Sequence, residues 1–197
     1  MSKFVQHDPD VFTIENVLSD SECQSLISRS ESIGFSPASV RTSQGPKMMT
    51  NIRNNERVVL NDPELADLLY SRVVDLLPSI DGCHPTGADS QLRFYKYVPG
   101  KKFNRHRDGE ATSPDGEVSK LLFLVYLNDA DGGETVFRDY VEKNGKREKI
   151  ELKIKAEAGN ALLFRHRRWH EGSPVDSGMK YVIRTDVFYS RIDSVER

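Results

Sequence analysis

From residue 92 to residue 189 the chain is written as short β segments cut by turn signals, and that rhythm limits its fold more than any other feature. The segments are 92–97, the apolar run 121–127, 134–137, the alternating Ile150, Leu152 and Ile154, then 161–164 and 180–189. Asn128-Asp129-Ala130-Asp131-Gly132-Gly133, Asn144-Gly145 and Gly159-Asn160 separate them, residue types that accept left-handed backbone or bond to it locally. Strands in such a series pack as an antiparallel double sheet. The expected core over 89–191 is therefore a double-stranded β-helix, or jelly roll.

A helical N-terminal layer and a loop are expected over 1–88. Ser19-Asp20-Ser21-Glu22 reads as a capping box, with Cys23, Leu26, Ile27 and Ser30 following at helical spacing and Gly34 available to end the helix. Asn61-Asp62-Pro63-Glu64 starts a second helix, with proline just inside it. Leu65, Leu68, Leu69, Val73, Leu76 and Leu77 then share one face and predict that it runs to Pro78. Between the two, 41–57 holds Ser43-Gln44-Gly45-Pro46 and Arg53-Asn54-Asn55 without a period. It reads as a long loop, either a binding loop or an ordinary surface segment. The whole is a mostly β protein with flanking helices (α+β), a single domain over 1–197.

Composition narrows the function classes. A chain of 197 residues with 37% hydrophobic and 29% charged residues has the make-up of a soluble protein and can bury a core without disulfides. The net charge of -2 argues against a nucleic-acid clamp built on bulk electrostatics. The first eight residues lack the apolar stretch of a secretory signal and no later run reaches membrane-spanning length, so a cytoplasmic protein with no membrane partner is expected. Cys23 and Cys83 stand far apart, outside any paired thiolate spacing.

The chemistry centres on His106-Arg107-Asp108 and the distant His170. Side chains two apart on an extended strand face the same way, so His106 and Asp108 can be joined by one further imidazole around a divalent metal. Two histidines and a carboxylate with open positions mark non-haem Fe(II) oxygenases, while the same donors also suit a zinc hydrolase. His166 and His170 stand four apart, but the acidic residue of a helical zinc pair is missing between them. On a strand Lys180, Val182 and Arg184 share a face, so two cations look toward whatever His170 looks toward. A 2-oxo dicarboxylate needs such a cation for its remote carboxylate.

Several separate segments then converge. Tyr97-Val98-Pro99-Gly100, Phe103 and His106-Arg107-Asp108 form one, and Leu124-Val125-Tyr126-Leu127-Asn128 with Gly132-Gly133-Glu134-Thr135-Val136-Phe137 a second. Gly159-Asn160-Ala161-Leu162-Leu163-Phe164, His170-Glu171-Gly172 and the stretch from Val175 to Lys180 complete them. Over 51–191 the chain resembles the 2-oxoglutarate and Fe(II)-dependent dioxygenases, in their prolyl 4-hydroxylase-like branch. The resemblance implies His106, Asp108 and His170 as iron ligands and as the catalytic residues. It places Lys180, ten positions after His170, at the distal carboxylate of 2-oxoglutarate, and Tyr97 beside it as a hydroxyl that assists. Arg184 departs from the better-known prolyl hydroxylases and competes with Lys180 as anchor, or contacts an acidic substrate. Tyr126 and Thr135 line the site or simply pack the sheet. The implied reaction uses Fe(II), 2-oxoglutarate and O2, with ascorbate a reductant the family commonly requires, and hydroxylates an unactivated C–H bond with succinate and CO2 as co-products. The implied acceptor is a prolyl or other side chain of a protein or peptide, read by the loops 41–57 and 108–118. A non-catalytic jelly-roll binding module is the other alternative, against which the intact ligands and lysine speak.

Overall fold

The computed structural model describes residues 3–42, 45–47, 49, 51–143 and 146–191. Two antiparallel sheets make the jelly roll. The larger has the order Phe4–Asp8, Val11–Ile14, Ala161–Arg165, Val118–Tyr126, Lys180–Arg191, Gln91–Tyr97, Glu56–Asn61, Ser36–Pro37, with Cys83–Ala88 pairing the far half of Lys180–Arg191. The smaller has the order Lys146–Ile154, Thr135–Lys143, His170–Gly172, Phe103–His106. Every segment expected to be a strand is one, several of them longer than the apolar pattern alone marks. The turn expected at Asn144-Gly145 lies outside the described residues.

Why 121–127 is apolar without alternation is visible in its two faces. Leu121, Phe123 and Val125 join the core beneath the helices, with Phe94, Leu163 and Ile183, while Leu122, Leu124 and Tyr126 join a second core between the sheets, with Phe137, Ile154 and Phe164. A strand covered on both sides gains from apolar residues at every position. Lys180–Arg191 is covered in the same way, yet its inner face carries Lys180, Arg184 and Asp186 around Val182. Polar groups are buried only where something repays their desolvation, so this face marks the site.

The helices hold the outer face of the larger sheet. Asp20–Ile33 begins on the expected capping box, with the Ser19 hydroxyl accepting from Glu22 N–H and the Glu22 carboxylate accepting from Ser19 N–H, and it ends at Gly34 with φ 92°. Pro63–Ser71 is capped by Asp62 but stops well short of Pro78. The chain tightens into the 3-10 turn Val74–Leu76, and Leu68 is 40% exposed instead of sharing the buried face of Leu65, Ala66, Leu69 and Val73. Apolar spacing continued past the helix end because the following turn also packs inward. Arg72 clamps Glu22 with both guanidinium nitrogens at 2.9 and 2.6 Å, and Arg29 meets Asp62 at 2.6 Å, so each helix is tied to the other near both ends.

Two further departures concern 1–88. Phe4–Asp8 and Val11–Ile14 are strands, the second pairing Ala161–Arg165, so this layer is not only helical. The stretch 41–57 is not a structureless loop either. It holds the short hairpin strands Val40–Thr42 and Gly45–Lys47, a bridge from Arg53 to Phe103, and the start of Glu56–Asn61. Val11–Ile14, Val40–Thr42 and Gly45–Lys47, of three or four residues each, have too little sequence to show a period.

The Glu22 cluster gives the fold a pH-dependent clip. The Arg72 hydrogen bonds, with those from Ser19, pull the Glu22 carboxyl from an ordinary 4.5 down to about 2. Its stabilisation is thus complete above about pH 4.5 and is lost as pH falls through about 2. Acid unfolding of Glu22→Gln is expected to be flatter across that window than that of the parent. Ser19→Ala is expected to cost about 1 kcal/mol at neutral pH in urea melts.

Candidate metal and 2-oxo acid site

Register brings the site together. His170 opens its strand directly opposite His106, which closes Phe103–His106, and Asp108 follows two residues on, just beyond the strand. The donor atoms of His106, Asp108 and His170 lie within 4.8 Å of one another. Asp108 Oδ2 is 3.6 Å from His106 Nε2 and 3.2 Å from His170 Nε2. The structure brings these three residues together.

The backbone sets the imidazole tautomers. His106 Nδ1 donates to Asn104 O at 2.8 Å and His170 Nδ1 to Arg168 O at 3.1 Å, and a carbonyl can only accept, so Nδ1 carries the proton in both rings. Each Nε2 is left as a lone pair facing a carboxylate. Three electron-rich donors this close repel unless a cation lies between them, and Nδ1–H bonded to a carbonyl is how metal-binding histidines are oriented. The donor set therefore fits Fe(II), with room for further ligands. Phe103 stacks on the His106 ring at 3.5 Å between centroids, and Phe164 meets His170 edge-on at 4.6 Å, fixing both rings.

Electrostatics agree with a charged Asp108. Burial alone would raise its pKa, but the Arg184 charge opposes that and holds it well below the usual carboxylate range. Burial lowers His106, against the pull of Asp108, so the imidazole stays neutral. Arg184 Nη2 stands 3.5 Å from Asp108 Oδ1 and 3.6 Å from Asp186 Oδ2. Asp186, nearly inaccessible, is pushed up to about 6 by burial against the opposing Arg184 and Arg93 charges.

From the triad a cavity of about 50 Å³ runs inward, walled by Tyr95, Tyr97, Leu122, Leu124, Thr135 and Val182, with Lys180 and Arg184 both on its lining. Lys180 is 4% exposed. Its ammonium donates to Gly133 O and lies 5.3 Å and 5.4 Å over the rings of Tyr97 and Tyr126. Burial brings its pKa down to about 8, with Glu134 opposing. Tyr97 and Thr135 both line the cavity, and Thr135 shares a 2.8 Å hydrogen bond with the Tyr126 hydroxyl. Sequence reasoning did not find Tyr95, although its place two before Tyr97 on one strand put it on the same face. Arg53, Arg93 and Asp186 were also missed; Arg53 reaches the site from a loop and has no local signal.

The 2OG-Fe(II) oxygenase superfamily profile matches residues 91–185, which contain all of these groups except Arg53 and Asp186. The chain is 26% identical over 198 residues to probable prolyl 4-hydroxylase 3 of Arabidopsis thaliana, covering 88% of this chain and 67% of that protein. The chain is a 2OG-Fe(II) oxygenase. It is prolyl 4-hydroxylase-like, and a PKHD-type hydroxylase of Shewanella oneidensis shares 28% identity with this oxygenase over 146 residues, 66% of the chain and 58% of that protein. Its fold is shared with the viral collagen prolyl hydroxylase of Paramecium Bursaria Chlorella virus-1 in complex with 2OG, with a TM-score of 0.61 at 23% identity over 90% of this chain and 95% of that one. A Trichoplax adhaerens prolyl hydroxylase bound to a hypoxia inducible factor peptide fragment aligns with a TM-score of 0.66 at 20% identity, covering 91% and 83%. Enzymes of this family use Fe(II), 2-oxoglutarate and O2.

Because only the folded chain gathers the three donors, divalent metal is expected to raise the melting temperature. At a free Mn(II) concentration 100-fold above Kd the gain is about 2.7 kcal/mol, and Asp108→Ala is expected to remove it in thermal melts.

Proposed function

We propose that this oxygenase hydroxylates an unactivated C–H bond of a side chain in a protein or peptide, a prolyl residue foremost, with His106, Asp108 and His170 holding the iron and Lys180 anchoring 2-oxoglutarate. The observation that carries this reading is a buried lysine, with no ion-paired carboxylate among the described residues, on the wall of the same cavity as the triad. A water-activating hydrolase has no use for that cation; a dicarboxylate that also reaches the metal does.

Fe(II), when bound with 2-oxoglutarate and O2, supplies the oxidising chemistry, which turns the cosubstrate into succinate and CO2 and leaves an oxygen on the substrate carbon. The chain's own residues do the rest. The Nε2 lone pairs of His106 and His170 and the Asp108 carboxylate hold one face of the metal. Arg184 holds the other oxygen of Asp108 and so keeps that carboxylate ionised and aimed, which favours Lys180 over Arg184 as the cosubstrate anchor. Lys180, steadied by Gly133 O, offers its remaining N–H groups to the distal carboxylate beside Tyr97. Leu122, Leu124, Val182 and Phe103 keep water from the reacting carbon. A prolyl acceptor is supported by the names of the Arabidopsis relatives, and a peptide by the partner of the Trichoplax enzyme.

Anaerobic addition of Fe(II) and 2-oxoglutarate is expected to give the weak visible charge-transfer band of a chelated 2-oxo acid, and His106→Ala or Asp108→Ala to abolish it. Lys180→Ala should weaken 2-oxoglutarate binding far more than Arg184→Ala; the opposite order moves the anchor to Arg184. Since the ammonium, not the amine, binds a carboxylate, affinity in the parent should hold below pH 8 and fall by up to about tenfold per pH unit above it. In Lys180→Arg that fall should disappear. Succinate release with peptide substrates, followed by a mass gain of one oxygen, tests the acceptor.

A further inference from the structure

Arginine is over-supplied at the metal end of the cavity. Arg184 is directly opposite Arg93 in the register of Lys180–Arg191 against Gln91–Tyr97, so the two share a face. Both stand four residues from the Lys180–Tyr97 pair, roughly 13 Å along the strands, farther than a five-carbon diacid spans. Arg53 lies across two residues of the cavity wall, its guanidinium 4.4 Å over the Tyr95 ring and 4.5 Å over the Phe103 ring. It is 6% exposed.

Each of the three keeps a buried nitrogen without a hydrogen-bond partner among the described residues: Arg53 Nη2, Arg93 Nη1 and Arg184 Nε. The remaining contacts are partial. Arg53 Nε donates to Asn55 Oδ1 at 2.6 Å, Arg93 Nη2 to Gln91 Oε1 at 2.7 Å, and Arg93 Nη1 comes no nearer to Asp186 Oδ2 than 3.7 Å. The carboxylates paired with this group are Asp108 and Asp186. Arg93 and Arg184 share Asp186, Arg184 also holds Asp108, and no carboxylate among the described residues is ion-paired with Arg53. Buried cations with open N–H groups cost stability, so they mark a place where a ligand brings the missing negative charge. The Tyr95 and Phe103 rings hold the Arg53 guanidinium in place while Asn55 takes its Nε, and Nη2 is left to donate to a carboxylate.

We propose that the substrate of this oxygenase carries a carboxylate, bound by Arg53 and Arg93 alongside Arg184 at the metal end of the cavity. This rests on the reading of Lys180 as the 2-oxoglutarate anchor, which leaves the arginine end for the substrate. Arg53 and Arg93 would thereby set specificity, selecting an acidic peptide or a small acid over a neutral one.

The test uses the full chain loaded with Mn(II) and saturating 2-oxoglutarate, titrated calorimetrically with propionate and with its neutral isostere propionamide. Propionate is expected to bind and propionamide not. Arg93→Gln and Arg53→Gln should each weaken propionate at least tenfold and leave 2-oxoglutarate affinity within twofold. Lys180→Ala should do the converse. Arg93→Lys, which keeps the charge and loses the fork, should fall between the parent and Arg93→Gln and covers the case in which one glutamine variant does not fold. Equal binding of the two probes, loss of propionate binding when 2-oxoglutarate saturates, or indifference to both arginine variants overturns the proposal. Failure of 2-oxoglutarate itself to bind, or to depend on Lys180, overturns the reading on which it rests, whereas normal 2-oxoglutarate binding without propionate sinks only the substrate carboxylate.

Discussion

Two imidazole lone pairs and a carboxylate held within 4.8 Å of one another are the constraint on which the rest of this structure turns. Left alone they repel, and the protein spends backbone carbonyls, a stacked phenylalanine and an arginine to keep them there. Such an arrangement is stable only as half of something, with a divalent cation as the other half. The pairing of Phe103–His106 with His170–Gly172 makes it possible, because a one-residue slip would turn one histidine to the opposite face of the smaller sheet.

The larger sheet serves that constraint by being covered on both sides. Its outer face is closed by two helices tied through Arg72–Glu22 and Arg29–Asp62, so the inner face is free to hold charges. Along Lys180–Arg191 the odd positions Tyr181, Ile183, Val187 and Tyr189 anchor the strand in the helical core. The even positions Lys180, Val182, Arg184 and Asp186 present a graded row: a lysine deep in the cavity, an apolar spacer, then one arginine and a carboxylate near the metal donors. One strand thus separates two anion-seeking ends of one cavity by the simple period of a β-strand.

Much of this was legible before folding. The strand series, the capping box at Ser19, the proline start at Pro63 and the shared face of Lys180 and Arg184 are all encoded within a few residues, where period and cap chemistry operate. The misjudged parts are of another kind. Leu68 and the end of the second helix looked helical because a 3-10 turn that packs inward keeps the same apolar spacing. The strands Phe4–Asp8, Val11–Ile14 and Val40–Thr42 are too short to show alternation, and what makes them strands is a partner distant in the chain or across a short turn.

The sequence by itself determined which donors exist and that His106 and Asp108 would sit close together, because a spacing of two is a local geometric fact. It also determined that a cation would stand on the strand after His170. Only the tertiary structure decided what each cation does. Arg184 faces Asp108, Lys180 faces a carbonyl and two aromatic rings, and Arg53 crosses from a loop to lie on Tyr95 and Phe103. Those partners come from sheet register and from packing between segments far apart in the chain, and no local period carries that information.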